Sequence, residues 1–127
     1  MAWGVDNRTA GLRVPVSEPA ARRVENRVPS SDANPYLSIA ASLACGYLGM
    51  TEEIMANSPT EETVNEDEIT LPRGLLEAVT GLEACEPLKG ILGTRFVNTY
   101  AAIKRLEYET FMQVISPWER EHLLLNV

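Results

Sequence analysis

The chain has 127 residues, the length of one domain, and its 45% hydrophobic and 23% charged residues are typical of a globular protein. Its net charge of −7 argues against a general binder of nucleic acid or of anionic membranes, because phosphate groups would be repelled. Cys45 and Cys85 are too few for a disulfide framework or a zinc site, and their apolar surroundings predict buried free thiols. With no signal-peptide core and no apolar stretch of membrane-spanning length, we expect a cytoplasmic protein.

Charge is distributed unevenly along the chain. Residues 1–30 contain five arginines and three acidic residues, a sum of +2, while residues 31–127 sum to −9. The first segment has no lysine, and the planar guanidinium of arginine suits bidentate binding of phosphate or carboxylate. Two interpretations stay open from composition alone: an anion site, or arginines that pair with the acidic remainder of the chain.

Two short strands are predicted in this arginine-rich segment. Residues 9–16 alternate apolar side chains with Arg13 and end at proline turn signals. Residues 23–28 form a second candidate strand, whose one face carries Arg23, Glu25 and Arg27. Such a face is either an exposed ladder of charges or a site for an anion together with a metal.

Helical patterns dominate after residue 30. Asp32 or Asn34 can cap a helix that begins at Pro35, and the many small residues in 31–50 predict that this helix is buried. Residues 51–70 are acidic and poor in apolar residues, which predicts a loop that could contain a short helix.

Residues 71–127 are predicted to be helical. One helix begins near 70–72, a turn spans residues 87–92, and Thr94 caps the longest helix. The apolar stripe of that longest helix contains the following residues: Phe96, Tyr100, Ile103, Leu106 or Glu107, Phe111 and Val114. Residues 116–119 (SPWE) form a capping box for a last short helix, whose His122 is predicted to lie at the surface or in packing.

These patterns predict an α+β architecture in a single partial domain over residues 1–127. A few short antiparallel strands at the N-terminus (1–30) are followed by a mainly helical remainder. The sequence contains no nucleophile elbow, no P-loop and no glycine-rich dinucleotide turn. The arginine-rich opening is therefore the segment that carries candidate chemistry.

Three stretches in this opening carry a family resemblance. Residues 7–15 (NRTAGLRVP) resemble the N-R-[ST]-x-x-x-R-[IV]-P stretch of glutamine synthetases, and residues 21–29 (ARRVENRVP) resemble the A-R-R-[IVL]-E-x-R-x-P stretch of that family. Residues 32–37 (DANPYL) are similar to its D-x-N-P-Y-L helix start. The tail looks closest to the gamma-glutamylpolyamine synthetase-like branch.

The resemblance implies the C-terminal part of the catalytic domain of an ATP-dependent carboxylate–amine ligase. Such an enzyme forms gamma-glutamyl phosphate and then amidates it with ammonia or an amine, using ATP and Mg²⁺ or Mn²⁺, as a homo-oligomer. By position, Arg8 and Arg13 would be catalytic residues that hold the transferring phosphoryl group. Arg23 would bind the nucleotide, Arg27 the amino-acid substrate, and Glu25 one of the two metals.

The resemblance also marks what this chain lacks. The upstream family segments that hold most metal-binding glutamates, the metal-binding histidine and the ammonia-side residues are not in it. We therefore expect a fragment that is inactive alone. The alternative is a stand-alone truncated relative without catalysis, an interaction or self-association module that uses exposed strand edges.

Overall fold

The computed structural model describes residues 2–64 and 71–124. Its contacts divide the chain into two units, Met1–Leu71 and Pro72–Val127, of which the first holds the strands and one helix and the second holds helices. The predicted α+β class is confirmed. The single partial domain over 1–127 stays a prediction.

The first unit contains a three-stranded sheet in the order β1 (Trp3–Val5), β2 (Leu12–Val14), β3 (Glu25–Asn26). The antiparallel pairing of β2 with β3 agrees with the prediction, but β1 pairs with β2 in parallel, so the sheet is mixed. A parallel pair usually needs a connection of about a dozen residues or more. Here residues 6–11 make the return, and Asp6 turns the chain in the left-handed region at φ 52°.

Helix α1 (Pro35–Thr51) follows a single 3-10 turn at Pro19–Ala21. Asn34 is its cap, because the Asn34 side chain accepts hydrogen bonds from the backbone N–H groups of Tyr36 and Leu37. The predicted burial of this helix is wrong: Ala44 alone among its residues is buried, while Tyr36 is 82% exposed and Leu43 69%. Leu37 and Leu48 are half-buried beside Ala44, so this helix contacts its unit along one narrow stripe.

The predicted acidic loop over 51–70 is partly described. Helix α1 includes Thr51, and residues 52–64 contain no helix or strand. Residues 65–70 lie outside the described residues. The observed part of the segment therefore has the irregular backbone that its composition predicts.

The second unit contains α2 (Leu75–Ala84), α3 (Glu86–Leu92), α4 (Thr94–Met112) and α5 (Pro117–His122). The predicted turn near 87–92 is the helix α3, which ends at Gly93 with φ 90°. Thr94 is not a cap, because it lies inside α4 and Gly93 occupies the position before the helix. Helix α2 begins at Leu75, later than the sequence predicts.

The helices α2 and α4 pack through small residues. Val79 of α2 and Val97 and Ala101 of α4 are buried, and Val97 is fully inaccessible to solvent. The predicted stripe of α4 does not form the buried face, since its member Phe111 is 71% exposed. Small side chains let the helix axes approach closely, so the contact uses the neighbouring stripe.

The predicted capping box of α5 is confirmed. The Ser116 hydroxyl accepts a hydrogen bond from the Glu119 N–H at 3.1 Å, and Glu119 Oε2 accepts one from the Ser116 N–H at 2.7 Å. The backbone hydrogen bond from Ser116, followed by that of its side chain, lowers the pKa of the Glu119 carboxyl. His122 stacks on the Trp118 ring at 4.8 Å between centroids, which agrees with a packing role.

Both cysteines are free thiols, as predicted, but Cys45 is exposed and Cys85 is partly exposed, so their predicted burial is wrong. Cys45 lies within α1, and Cys85 lies between α2 and α3. No helix in the described residues has the length and apolar character to cross a membrane.

Candidate functional site

Arg13 lies at the centre of an ion-pair cluster on the sheet. It occupies the middle of β2, and its side chain is only 15% exposed. Its guanidinium donates to Glu25 Oε2 at 2.8 Å and also to a carboxylate oxygen of Asp6. These bonds, to Glu25 first and then to Asp6, raise the pKa of Arg13. The guanidinium is thus a cation whose position is fixed by two carboxylates.

Glu25 joins two strands and two arginines. Its Oε2 accepts from Arg13, and its Oε1 accepts from the Arg23 Nε at 3.1 Å and pairs with the Arg23 Nη2 at 2.9 Å. The hydrogen bond from Arg13 lowers the pKa of the Glu25 carboxyl, burial opposes this, and the bond from Arg23 adds to the lowering. Both carboxylate oxygens therefore already accept hydrogen bonds from guanidinium groups.

Two predicted residues lie outside this cluster. Arg8 and Arg27 are exposed and form no ion pair with any residue in the ranges 2–64 and 71–124. The expected strand face of Arg23, Glu25 and Arg27 is not formed as predicted, because β3 contains only Glu25 of the three, and Arg23 contacts Glu25 from outside the strand. Because β3 ends at Asn26, strand alternation does not extend to Arg27, whose N–H instead donates to the Gly11 carbonyl at 2.9 Å.

Asp6 is a site residue that the sequence reasoning missed. It ends the strand β1 in the left-handed conformation that asparagine and aspartate tolerate best among non-glycine residues. That conformation is part of the turn that brings its carboxylate to Arg13. The sequence signal for this role is an acidic residue directly before the first arginine motif (7–15).

The connection from β1 to β2 is tied to residues 57–64, here called the strap segment. Thr60 N–H donates to the Trp3 carbonyl at 2.8 Å, and the Trp3 indole N–H donates to the Asn57 carbonyl at 2.6 Å. The Val64 N–H donates to the Thr9 hydroxyl at 3.0 Å. These bonds span more than fifty residues of sequence, so no local pattern indicates them.

Asn7 makes the central contacts with the strap segment. Its side-chain amide donates to the carbonyl oxygens of Thr60 at 3.0 Å and Glu62 at 2.9 Å. Its Oδ1 accepts from the Thr9 N–H at 2.9 Å and from the Thr9 hydroxyl at 2.7 Å. The second pair is an Asx turn, which the Asn-x-Thr order in the sequence could have indicated.

The residues of the cluster do not by themselves fit a divalent cation. Among residues 2–64 and 71–124 there is no group of three or more His, Cys, Asp or Glu side chains that could hold a metal. A magnesium ion takes six oxygen ligands, and Glu25 offers one carboxylate whose two oxygens already face guanidinium groups. Among the arginines singled out in the sequence, Arg8 and Arg27 are exposed and outside these ion pairs, so their guanidinium groups are the ones accessible to a ligand.

Comparison with known proteins gives this arrangement a family. Residues 1–123 match the family described as "Glutamine synthetase, catalytic domain". Glutamine synthetase of Methanocaldococcus jannaschii is 34% identical over 98% of this chain and 30% of its own length. Glutamate–isopropylamine ligase of a Pseudomonas species is 36% identical over 93% of the chain and 27% of its own length. Gamma-glutamylethanolamide synthetase of Streptomyces coelicolor is 34% identical over 94% and 26%.

The chain thus spans less than a third of the length of these curated relatives, although nearly all of its own residues align with them. The matched region contains the whole arginine cluster, the strap segment and all of the described helices. The chain therefore belongs to the glutamine synthetase family, through that family's catalytic domain.

Proposed function

We propose that this chain supplies the arginine-bearing sheet of an ATP-dependent carboxylate–amine ligase of glutamine synthetase type. In that reaction the glutamate side-chain carboxylate attacks the terminal phosphorus of ATP, ADP leaves, and the acyl phosphate is then attacked by ammonia or an amine with loss of phosphate. The observation that carries the proposal is Arg13, a largely buried cation held by Asp6 and Glu25 within the matched region.

The proposed roles follow from where the cations lie. Phosphoryl transfer spreads charge over non-bridging oxygens, and donors that are fixed before the reaction stabilise that charge best. The guanidinium of Arg13 is fixed by its ion pairs with Asp6 and Glu25. The guanidinium of Arg8 is exposed and takes no part in these ion pairs, so it is the one that can move onto a phosphate oxygen. We assign Arg23 to the nucleotide and Arg27 to the substrate carboxylate.

We also propose Glu25 as a metal ligand, but only in the presence of further ligands. Because the described residues do not form a metal site, Glu25 can serve only together with oxygen ligands that another segment or chain provides. We derive no step of the reaction through a metal. The chain is accordingly proposed to be inactive alone and to work in a homo-oligomer of the cytoplasm, where its two free thiols would stay reduced.

The accepted amine is part of the proposal. The names of two relatives contain isopropylamine and an ethanolamide, while the archaeal relative is named a glutamine synthetase. We therefore propose both ammonia and an organic amine as candidate nucleophiles. Product analysis with both nucleophiles separates the two.

A second candidate function rests on the exposed face of α1. Tyr36, Ile39, Leu43, Tyr47 and Met50 are all more than half exposed along this helix. Beside it, a groove of about 450 Å³ is lined by Pro29, Ile39 and Leu43 among others. Apolar surface of this kind is typical of a protein interface, so the alternative is a non-catalytic module that associates with a second copy or another protein.

A chimeric enzyme tests the ligase proposal directly. The matched region of the M. jannaschii glutamine synthetase is replaced by this chain, and gamma-glutamyl phosphate formation is followed by phosphate release with glutamate and each amine. We expect turnover, and we expect Arg8→Ala to reduce it by about a hundredfold to a thousandfold. The control Arg95→Ala removes an exposed arginine of α4 and should leave turnover unchanged. Full activity of the Arg8 variant would refute the assignment.

The isolated chain separates the two candidate functions. Salt-sensitive binding of ATP, lost in Arg8→Ala, favours the ligase proposal. A stable dimer in sedimentation, abolished by Leu43→Glu and accompanied by no nucleotide affinity, favours the interaction module.

A further inference from the structure

We infer that Asn7 is the positioning residue for Arg8, because it locks the six-residue connection that carries Arg8 onto the strap segment (57–64). This role differs from the roles proposed for the arginines and for Glu25. It deepens the proposed function, and its effect on anion binding rests on that function.

The hydrogen bonds of Asn7 are fully used. An asparagine side chain has two N–H donors and an oxygen with two acceptor positions. In Asn7 both donors reach carbonyl oxygens of the strap segment, at Thr60 and Glu62, and the oxygen accepts twice from Thr9. One side chain therefore joins the residues on both sides of Arg8 to a segment more than fifty residues away.

The connection needs this support because its own geometry gives little. It joins the two parallel strands β1 and β2 with six residues, from Asp6 to Gly11, whereas such connections usually contain about a dozen residues or more. One end is fixed by the ion pair of Asp6 with Arg13, and the other by the start of β2. Between these ends Arg8 forms no ion pair within the described ranges, so its backbone position depends on its neighbours Asn7 and Thr9.

The substitution Asn7→Asp tests this role. Asn7→Asp keeps the shape and the acceptor oxygens, so the Asx turn with Thr9 survives, but it removes both N–H donors and sets a carboxylate against two carbonyl oxygens. Asn98→Asp adds the same charge at an exposed position of α4 and serves as the matched control.

The experiment measures three quantities in the full chain by NMR. The first is amide hydrogen exchange at Thr60 and Val64, whose N–H groups bond Trp3 and Thr9. The second is the backbone order of Arg8 from the heteronuclear NOE, compared with that of Arg13. The third is the affinity for inorganic triphosphate, followed at the arginine Nε–H resonances.

With Asn7→Asp we expect exchange at Thr60 and Val64 to accelerate by about tenfold or more, since two hydrogen bonds are lost. We also expect the order of Arg8 to fall while that of Arg13 is retained, and triphosphate affinity to drop by about tenfold. Faster exchange with unchanged order and unchanged affinity would mean that Asn7 only stabilises the strap segment, and would overturn the inference. If triphosphate binds neither protein, the proposed phosphate site is refuted, and the order of Arg8 still decides the role of Asn7.

Discussion

A methyl group at Gly4 has no room, and Gly4→Ala should therefore detach the strap segment from the sheet. The added Cβ would lie 2.5 Å from the Thr60 carbonyl oxygen and 2.7 Å from the Asn7 Cβ. Carbon atoms pack at about 3.5–4.0 Å, so Asn7 would have to retreat by about 0.8 Å or more. A similar shift of Thr60 would break its hydrogen bonds with Trp3 and Asn7, which measure 2.8 and 3.0 Å. Overpacking and two lost hydrogen bonds together cost about 2–6 kcal/mol.

Urea unfolding followed by tryptophan fluorescence measures this cost. The chain has two tryptophans, so a Trp118→Phe background leaves Trp3, whose indole N–H bonds the strap segment, as the reporter. The matched control is Gly46→Ala in the middle of α1, where a Cβ meets nothing within 4 Å. It should raise the free energy of unfolding by up to about 1 kcal/mol, because alanine favours the helix over glycine. The same substitution should thus have opposite signs at the two positions.

Equal urea midpoints for Gly4→Ala and the parent protein would refute the packing argument. So would retained protection of the Thr60 amide from hydrogen exchange, since the clash is with the carbonyl of that residue. Destabilisation by Gly46→Ala would instead contradict the exposed position assigned to that glycine on α1.

Three further predictions test the rest of the molecule. Val97→Ala removes two buried carbons between α2 and α4 and should lower the free energy of unfolding by about 1.5–3 kcal/mol, whereas Phe111→Ala should change it by less than about 0.5 kcal/mol in the same denaturation assay. The Glu119 pKa is lowered in the folded protein, so its contribution to α5 is present above the ordinary value of 4.5 and is lost as pH falls through the folded pKa. The NMR chemical shifts of α5 should show this loss, and Glu119→Gln should remove the pH dependence. Mn²⁺ at micromolar concentration should leave the amide resonance of Glu25 unbroadened in the isolated chain, and selective broadening there would contradict the absence of a metal site in the described residues.

Local chemistry explains which elements the sequence could predict. The cap at Asn34 and the capping box at Ser116 depend on residues within four positions of each other, and both are present as predicted. The same holds for the strand around Arg13, whose alternation is local. The predicted cap at Thr94 is wrong because Gly93, at φ 90°, is both the residue after α3 and the residue before α4. One glycine therefore takes the place of a separate C-cap and a separate N-cap.

Long-range contacts explain what the sequence could not provide. The strand β1 has three residues and is held by a parallel partner and by the strap segment, neither of which leaves a periodic pattern. The buried stripe of α4 was misassigned because hydrophobicity favours Phe111 over Ala101, whereas close helix packing selects the small residue. For the site, motif resemblance named five residues, but the Asp6 and Asn7 contacts required coordinates.

The arginine cluster also changes how the charge of residues 1–30 is understood. Arg13 and Arg23 pair with Asp6 and Glu25 of the same segment, and the four charges cancel. The sum of +2 therefore resides on the remaining residues, Arg8, Arg22 and Arg27 less Glu18. The predicted pairing with the acidic remainder is wrong for Arg13 and Arg23, whose partners come from the opening segment, and the anion site stays a prediction. Arg13 joins β2 to β3 through Glu25, whereas Arg8, Arg22 and Arg27 are exposed and form no ion pair with a described residue. This division predicts that loss of Arg13 disturbs structure and anion binding together, whereas loss of Arg8 disturbs anion binding alone.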